Sequence, residues 1–236
     1  MHLLIPAAGR GSRMGAPVNK LLLPLAGRPI LAWTLLAASV ARSIEWIGIV
    51  GQPEDRTAID ALLADLGLAV KLAWIDGGTT RQESVFRGLA ALPGRVERVL
   101  VHDGARCLAT PDLFDRCAAA LAECPALVAA VPVKDTIKQV ATEGRTVEAT
   151  VPRERLWAAQ TPQGFAVAPL VEAHRLAAEA GLAVTDDAAL CEWRGIPVTI
   201  VPGEETNLKV TTPADLLVAG AILAARHNEG SFERHS

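Results

Sequence analysis

Short, almost purely apolar runs alternate with helical segments along the first half of this chain, and that rhythm constrains its fold more than any other feature. Leu3–Ile5, Trp46–Val50, Val70–Ile75, Val96–Val101 and Leu127–Val133 read as strands, with helices expected over Pro29–Arg42, Glu54–Leu66, Thr80–Leu92 and Pro111–Leu121. Gly67 supplies a helix stop, and Thr110-Pro111 supplies a cap and a first-turn proline. Strands with no polar alternation are buried on both faces, which calls for a parallel sheet with helices on either side. The expected class is therefore α/β and Rossmann-like. In such sheets functional residues collect at the carboxyl ends of the strands. Three small-residue loops stand there: Pro6-Ala7-Ala8-Gly9, Asp76-Gly77-Gly78 and His102-Asp103-Gly104.

The rhythm breaks between Lys134 and Pro152. Thr136–Val140 and Thr146–Val151 alternate in polarity around Glu143-Gly144-Arg145, the pattern of a β-hairpin. This arm (134–152) adds nothing to a parallel core, and isolated two-stranded arms are marginal in water. A second subunit is expected to cover it, making a homodimer; the alternative is an arm folded back on its own domain. Further on come a helix from Pro169 to Ala180 and a short helix to Trp193, with Thr185 as its expected cap. A strand at Pro197–Val201 follows, then a helix from Thr212-Pro213 to about Arg226. Residues 1–226 thus read as one domain including the arm, and 227–236 as a disordered tail.

The 236 residues suffice for one substantial core. No apolar run approaches the ~18 residues of a membrane span, and Met1-His2 leads straight into the first strand, leaving no room for a signal peptide. A net charge of −3 gives no electrostatic case for nucleic acid. Cys107, Cys117, Cys124 and Cys191 lack metal or redox spacing and are expected to be reduced thiols of a cytoplasmic protein. Cys107 follows Arg106, a cation that would lower its pKa.

The stretch from Leu3 to Lys20 combines a strand, the small residues Ala7, Ala8, Gly9 and Gly11, and the cations Arg10, Arg13 and Lys20. Backbone N–H groups approach an anion closely where no side chain intervenes, and the cations neutralise it. The dinucleotide fingerprint is excluded because its third glycine position holds Met14, and the Walker pattern because Lys20 lies between Asn19 and Leu21. A nucleophilic triad and a zinc site both lack their residues. Phosphoryl chemistry remains, carried by charge neutralisation and positioning. Its candidate residues are the glycine loop with Arg10, Arg13 and Lys20; Asp76 and Ser84; Asp103 and Arg106; Thr136, Arg153, Thr161, Thr185, Asp186 and Lys209. Asp103 is the carboxylate suited to Mg²⁺, which binds through one or two carboxylates plus phosphate oxygens. Taken singly, Asp103 reads as a turn former, Thr185 and Asp186 as a helix cap, and Arg153, Lys209 and Arg10 as solvated charges.

Taken together, Pro6-Ala-Ala-Gly-Arg-Gly-Ser-Arg-Met, Asp76-Gly-Gly, Val101-His-Asp-Gly-Ala-Arg, Thr161-Pro-Gln-Gly-Phe, Thr185-Asp-Asp-Ala and Asn207-Leu-Lys-Val-Thr resemble the 2-C-methyl-D-erythritol 4-phosphate cytidylyltransferase family, in order and nearly end to end. The resemblance implies a nucleotidyltransferase fold and transfer of CMP from CTP to a polyol phosphate, with pyrophosphate leaving. It implies Arg13 and Lys20 as transition-state stabilisers and Arg153 and Lys209 as the grip on the substrate phosphate. Pro6, Ala7, Ala8, Gly9 and Gly11 would contact the nucleotide together with Asp76, Gly77, Ser84, Asp103 and Gly104. Arg106, Thr136, Thr161, Thr185 and Asp186 would serve the acceptor substrate, with Asp103 and Asn207 as metal ligands for Mg²⁺. Thr136 and Arg153 would act across the dimer. Gly104 and Cys107 depart from the family's usual alanine and proline.

Rival readings are ribitol-5-phosphate cytidylyltransferase, whose loop typically resembles Ala-Gly-Gly, a sugar-nucleotide pyrophosphorylase, and a nucleotide-binding module without turnover. The Pro-Ala-Ala-Gly loop favours methylerythritol phosphate. The four cations Arg13, Lys20, Arg153 and Lys209 argue against a pure binder.

Overall fold

The computed structural model describes residues 1–8 and 19–232, with side chains to His227. Eleven strands are present among them: β1 (His2–Pro6), β2 (Pro24–Leu25), β3 (Arg28–Pro29), β4 (Trp46–Gly51), β5 (Lys71–Asp76), β6 (Arg98–Val101), β7 (Ala126–Pro132), β8 (Ile137–Val140), β9 (Val147–Val151), β10 (Trp157–Ala166) and β11 (Val198–Pro202). The helices are α1 (Ile30–Val40), α2 (Arg56–Leu66), α3 (Arg81–Ala90), α4 (Pro111–Ala120), α5 (Val167–Glu179), α6 (Asp187–Trp193) and α7 (Pro213–Phe232).

Seven strands make one sheet in the order β11-β7-β10-β6-β1-β4-β5. The apolar runs of β1, β4, β6 and most of β7 are buried on both faces as expected, but Val70–Ile75 is not: β5 is an edge strand, and its residues are exposed or only partly buried. Along β1, Leu3 and Ile5 pack with α1, α2 and α4, whereas Leu4 packs with Val85 and Leu89 of α3 and Leu170 of α5. Each such fully buried aliphatic side chain contributes about 1.5–3 kcal/mol by leaving water. The neighbours of β1 are β4 and β6, both parallel to it. These pairings bring the loops after β1, β4, β5 and β6 to one edge of the sheet, where a parallel sheet opens its cleft.

One strand departs from the expected rhythm. β10 runs antiparallel between β6 and β7, so the sheet is mostly, not wholly, parallel. Its pairing with β7 shifts register between Ala159 and Gln163, and this irregularity turns Gln160 and Thr161 inward, where both are buried. A second unexpected element is the β2–β3 ribbon, turned by Ala26 and Gly27, both with positive φ.

The arm is a separate two-stranded sheet, with Ile137 opposite Val151 and Val140 opposite Val147. Ile137, Val140 and Val147 are exposed apolar residues on it. At the carboxyl end of the chain, α7 runs past Arg226 to Phe232, so residues 227–232 are helical rather than part of a tail. The cap of α6 is Asp186, not Thr185: its Oδ1 accepts the Ala189 N–H at 3.1 Å. All four cysteines are free, and burial pushes Cys107 up to about 11 rather than letting a nearby cation lower it. Cys107 is therefore a protonated thiol that fills the core.

Candidate active site

The sheet edge opens into a cleft of about 560 Å³. Pro6 ends β1 and Ala8 follows it, Gln52 follows β4, Gly78 to Thr80 link β5 to α3, which opens with Arg81, and Asp103 to Ala105 follow β6. Lys20 and Lys209 complete the wall from two loops distant in sequence. Gly9, Gly11 and Arg13, with Arg10, lie outside the described residues.

Gly77 stands at a close approach between loops, where any side chain is crowded. A Cβ there would come within 3.1 Å of both the Gly51 carbonyl oxygen and the Ala8 Cβ. Ser84, fully buried, shapes the same loop: its hydroxyl accepts the Gly78 N–H at 3.0 Å and donates to the Thr80 carbonyl at 2.8 Å. Thr80 caps α3 by accepting the Glu83 N–H at 3.0 Å, and Glu83 Oε2 accepts the Thr79 N–H at 2.7 Å. This reciprocal capping fixes the helix start from which Arg81 and Ser84 project. Gly104 presents only backbone, and its carbonyl accepts the Thr34 hydroxyl at 2.9 Å.

Asp103 is the electrostatic centre. Its carboxylate lies 2.7 Å from Lys209 Nζ, 3.5 Å from Arg81 Nε and 4.0 Å from Arg106 Nε. Burial alone would raise its pKa, but Arg81 and Lys209, followed by Arg106, outweigh that and hold it far below the usual carboxylate range. The group is ionised at any physiological pH. Lys20 reaches the same wall and donates to the Val210 carbonyl at 2.9 Å. Asn19 anchors its loop, with Nδ2 donating to Ala7 O at 2.7 Å and Asp55 Oδ2 at 2.8 Å.

Behind Asp103 lies a polar lattice of buried side chains, with Arg106 partly buried at its edge. The Thr161 hydroxyl accepts the Asp103 N–H at 2.9 Å and lies 3.0 Å from His102 Nδ1. His102 Nε2 is 3.2 Å from the Arg106 carbonyl, an acceptor, so Nε2 carries the proton and Nδ1 takes one from Thr161. Burial drives His102 down to about 4, so the ring is neutral. Arg106 donates to the Asn207 carbonyl at 2.8 Å and the Ala159 carbonyl at 3.1 Å. Asn207 Nδ2 donates to Gln160 Oε1 at 3.0 Å and to the Thr161 carbonyl at 2.9 Å. Arg106, Thr161 and Asn207 are thus frame members that lock the β10 irregularity to the Asp103 and Lys209 loops, and none of the three lines the cleft.

Other expected site residues stand apart from the cleft. Asp76 points outward and accepts the Trp74 Nε1–H at 2.8 Å. Thr185 is exposed, and Asp186 besides capping α6 accepts Gln163 Nε2–H at 2.7 Å. Thr136 and Arg153 sit on and beside the arm; both are exposed, and Arg153 donates to the Lys134 carbonyl. Arg81 and Asp187, conversely, were not anticipated. Arg81 Nη1 lies 2.8 Å from Asp187 Oδ2, and His174 Nε2 lies 3.2 Å from Asp187 Oδ1. Arg81 follows Thr80 in an ordinary helix start, and Asp187 sits beside a more conspicuous cap residue, so neither carries a local signal.

A family model for 2-C-methyl-D-erythritol 4-phosphate cytidylyltransferase matches residues 1–225. The chain belongs to this cytidylyltransferase family. A cytidylyltransferase of that name from Gloeobacter violaceus is 70% identical over 223 residues, 94% of this chain and 96% of that protein. One from Synechococcus elongatus is 67% identical over 226 residues, 96% of this chain and 97% of that protein. Among solved structures, the 4-diphosphocytidyl-2C-methyl-D-erythritol synthase of Anaerococcus prevotii superposes with a TM-score of 0.84 at 32% identity, covering 94% of this chain and 97% of that one. The cytidylyltransferase of Thermus thermophilus gives 0.74 at 37% identity, covering 93% and 97%. As in the family it belongs to, the chain is an enzyme, a cytidylyltransferase.

Proposed function

We propose that this cytidylyltransferase transfers CMP from CTP to 2-C-methyl-D-erythritol 4-phosphate. Pyrophosphate leaves and 4-diphosphocytidyl-2-C-methyl-D-erythritol forms, a step of non-mevalonate isoprenoid precursor biosynthesis. The observation that carries the reading is that Lys20 and Lys209 line a single cleft walled by small residues, in which Lys209 closes on one buried carboxylate, Asp103. A phosphate oxygen of the acceptor attacks the α-phosphorus of CTP, and the bond to the pyrophosphate oxygen breaks. Both reactants are anions, so their approach needs cations on the cleft wall.

In this reading the backbone of Pro6, Ala7, Ala8, Gly9 and Gly11 faces the nucleotide, aided by Gly77, Gly104 and the loop that Ser84 shapes. Asp76 would reach the nucleotide only from the outer rim. Lys20 and Arg13 meet charge growing on the α-phosphate and leaving group, while Lys209 holds the acceptor phosphate. Asp103 fits a divalent cation of the Mg²⁺ type, which accepts one carboxylate and completes its shell with phosphate oxygens and water. Asn207 fits less well, being fully buried, outside the cleft wall and committed through Nδ2 to Gln160 and Thr161. When bound, the cation would neutralise the phosphates; every positioning task belongs to the side chains. Arg106 and Thr161 act by holding the Asp103 loop, and Asp186 by capping the start of α6, while the exposed Thr185 would meet the acceptor only from outside the cleft wall.

Thr136 and Arg153 would enter the acceptor site of a partner subunit through the arm. The exposed Ile137, Val140 and Val147 support such a dimer. We further place the enzyme in the cytoplasm, a reading supported by its four unpaired thiols. Its partners would be small molecules and a second copy of itself, not nucleic acid or membrane. Among the described residues, no helix is long and apolar enough to cross a membrane.

The test is pyrophosphate release from CTP and Mg²⁺ with each acceptor in turn. Release with methylerythritol phosphate and none with ribitol 5-phosphate is the expected result. Release with ribitol phosphate alone would reassign the substrate, and none with either would leave only nucleotide binding.

A further inference from the structure

Asp187 is wholly buried at the first position of α6, and it is used by nothing in the reading above. A buried carboxylate is costly unless a cation compensates it. Here the cation is Arg81, which belongs to the cleft wall. The guanidinium is shared between two carboxylates: its Nη1 lies 2.8 Å from Asp187 Oδ2, and its Nε a longer 3.5 Å from Asp103 Oδ1. The Asp187 contacts are close ion pairs without hydrogen-bond alignment, so charge more than direction holds Arg81 there. On the far side His174, itself buried and stacked on Phe86 of α3 at 5.7 Å between ring centroids, backs Asp187 at 3.2 Å. Three helices thus converge to place one negative charge behind Arg81.

We propose that Asp187 is a positioning residue that draws Arg81 away from Asp103 and so keeps Asp103 Oδ1 available in the cleft, Oδ2 being held by Lys209 at 2.7 Å. With the Asp187 charge removed, Asp103 is the carboxylate in contact with Arg81 among the described residues, the Asp186 charge acting only from farther off. The guanidinium then closes on Asp103 and competes for the oxygen that a metal–nucleotide complex needs. Distance sets the balance: the shorter pair belongs to the residue outside the cleft, and the longer one to the residue within it. The inference rests on the reading of Asp103 as the metal-binding carboxylate.

The experiment is calorimetric binding of CTP across a Mg²⁺ series, with thermal unfolding measured in parallel. Four forms are compared: wild type, Asp187→Asn, Asp187→Asn combined with Arg81→Met, and Asp103→Asn. Asparagine keeps the shape beside His174 and removes the charge, at the cost of turning one acceptor oxygen into an N–H donor. Outer partners of metal ligands are worth about 10–100-fold in metal affinity, so Asp187→Asn should raise the Mg²⁺ concentration for half-maximal CTP binding by about tenfold or more. Removing Arg81 as well takes away the competitor, and the requirement should return to within a few-fold of wild type. A lower unfolding temperature with an unchanged Mg²⁺ requirement in Asp187→Asn would overturn the proposal, as would a double variant as impaired as the single. If Asp187→Asn does not fold, the double variant, which leaves no unpaired buried charge at this pair, decides alone. A large rise in its Mg²⁺ requirement would then overturn the inference. Asp103→Asn separates the two ideas, because a Mg²⁺ requirement unmoved by that variant sinks the reading of Asp103 itself.

Discussion

Lys20 and His102 show how single side chains divide the work at the cleft. Lys20 lines the wall with its ammonium 2.9 Å from the Val210 carbonyl, next to the loop that carries Lys209. If it stabilises the transition state rather than bound CTP, Lys20→Ala should lower kcat by about 10²–10³-fold, as removal of a charge-stabilising donor does, with CTP affinity falling less than about tenfold. Pyrophosphate release and calorimetry measure the two separately, and equal losses would make Lys20 a ground-state ligand. His102 acts through stability instead. Burial lowers it from 6.5 to about 4, against the opposing pull of Asp103. As pH falls, the unfolded chain binds this proton first, so the contribution of the neutral ring is complete above about pH 6.5 and is lost toward about pH 4. The loss should reach about 3 kcal/mol at the lower end, from roughly 1.4 kcal/mol per unit. Depression of the Asp103 pKa acts in the same direction, only below the ordinary carboxylate range. Urea unfolding near pH 7 and near pH 4.5 should show the drop in the wild type and a much smaller one in His102→Gln. A parallel drop in both would remove His102 as its source.

At the scale of elements, α3 is the piece on which the site turns, since its first turn carries Arg81 and Ser84 and its cap closes the Gly77-Gly78 loop. Thr80→Ala removes the acceptor of the Glu83 N–H and should cost about 1 kcal/mol of stability, most of it regained in Thr80→Ser. Urea midpoints at constant slope measure this, and an unchanged midpoint would show that the Glu83 side chain alone holds the helix start. This helix was legible in the sequence because periodicity and length agreed, α4 because its cap and first-turn proline marked its start, and β1 and β4 because their apolar runs are unbroken. The central antiparallel strand was not. Between Trp157 and Ala166 lie Gln160, Thr161, Pro162, Gln163 and Gly164, a polar and broken run that local patterning assigns to a loop. Its polar residues are there because the sheet's interior face at that point is the frame of the site. Arg81 and Asp187 escaped for a related reason, because a long-range ion pair leaves no periodic trace in either segment. The motifs at the strand ends were readable because close backbone approach demands small residues, as it does at Gly77.

For the molecule as a whole, the open question in the architecture is where the arm goes. Arg153 and Thr136 are exposed and lie outside the residues lining their own cleft, while Lys20 and Lys209 line it. Two arrangements follow: the arm completes the site of a symmetry-related partner, or it serves none. They differ in a mixing experiment. In a two-fold dimer with exchanged arms, each site combines Lys20 of one subunit with Arg153 of the other. Homodimers of Lys20→Ala and of Arg153→Ala are then each inactive at both sites. A heterodimer of the two concentrates both lesions in one site and leaves the other intact. Random reassortment at equal concentrations makes about half of the dimers mixed, so activity should return to about a quarter of the wild-type value. Dilution through subunit exchange, followed by pyrophosphate release against the unmixed variants, reads this out. No recovery despite demonstrated heterodimers, by mass or by differential tagging, would return Arg153 to its own subunit and leave the arm a purely structural contact.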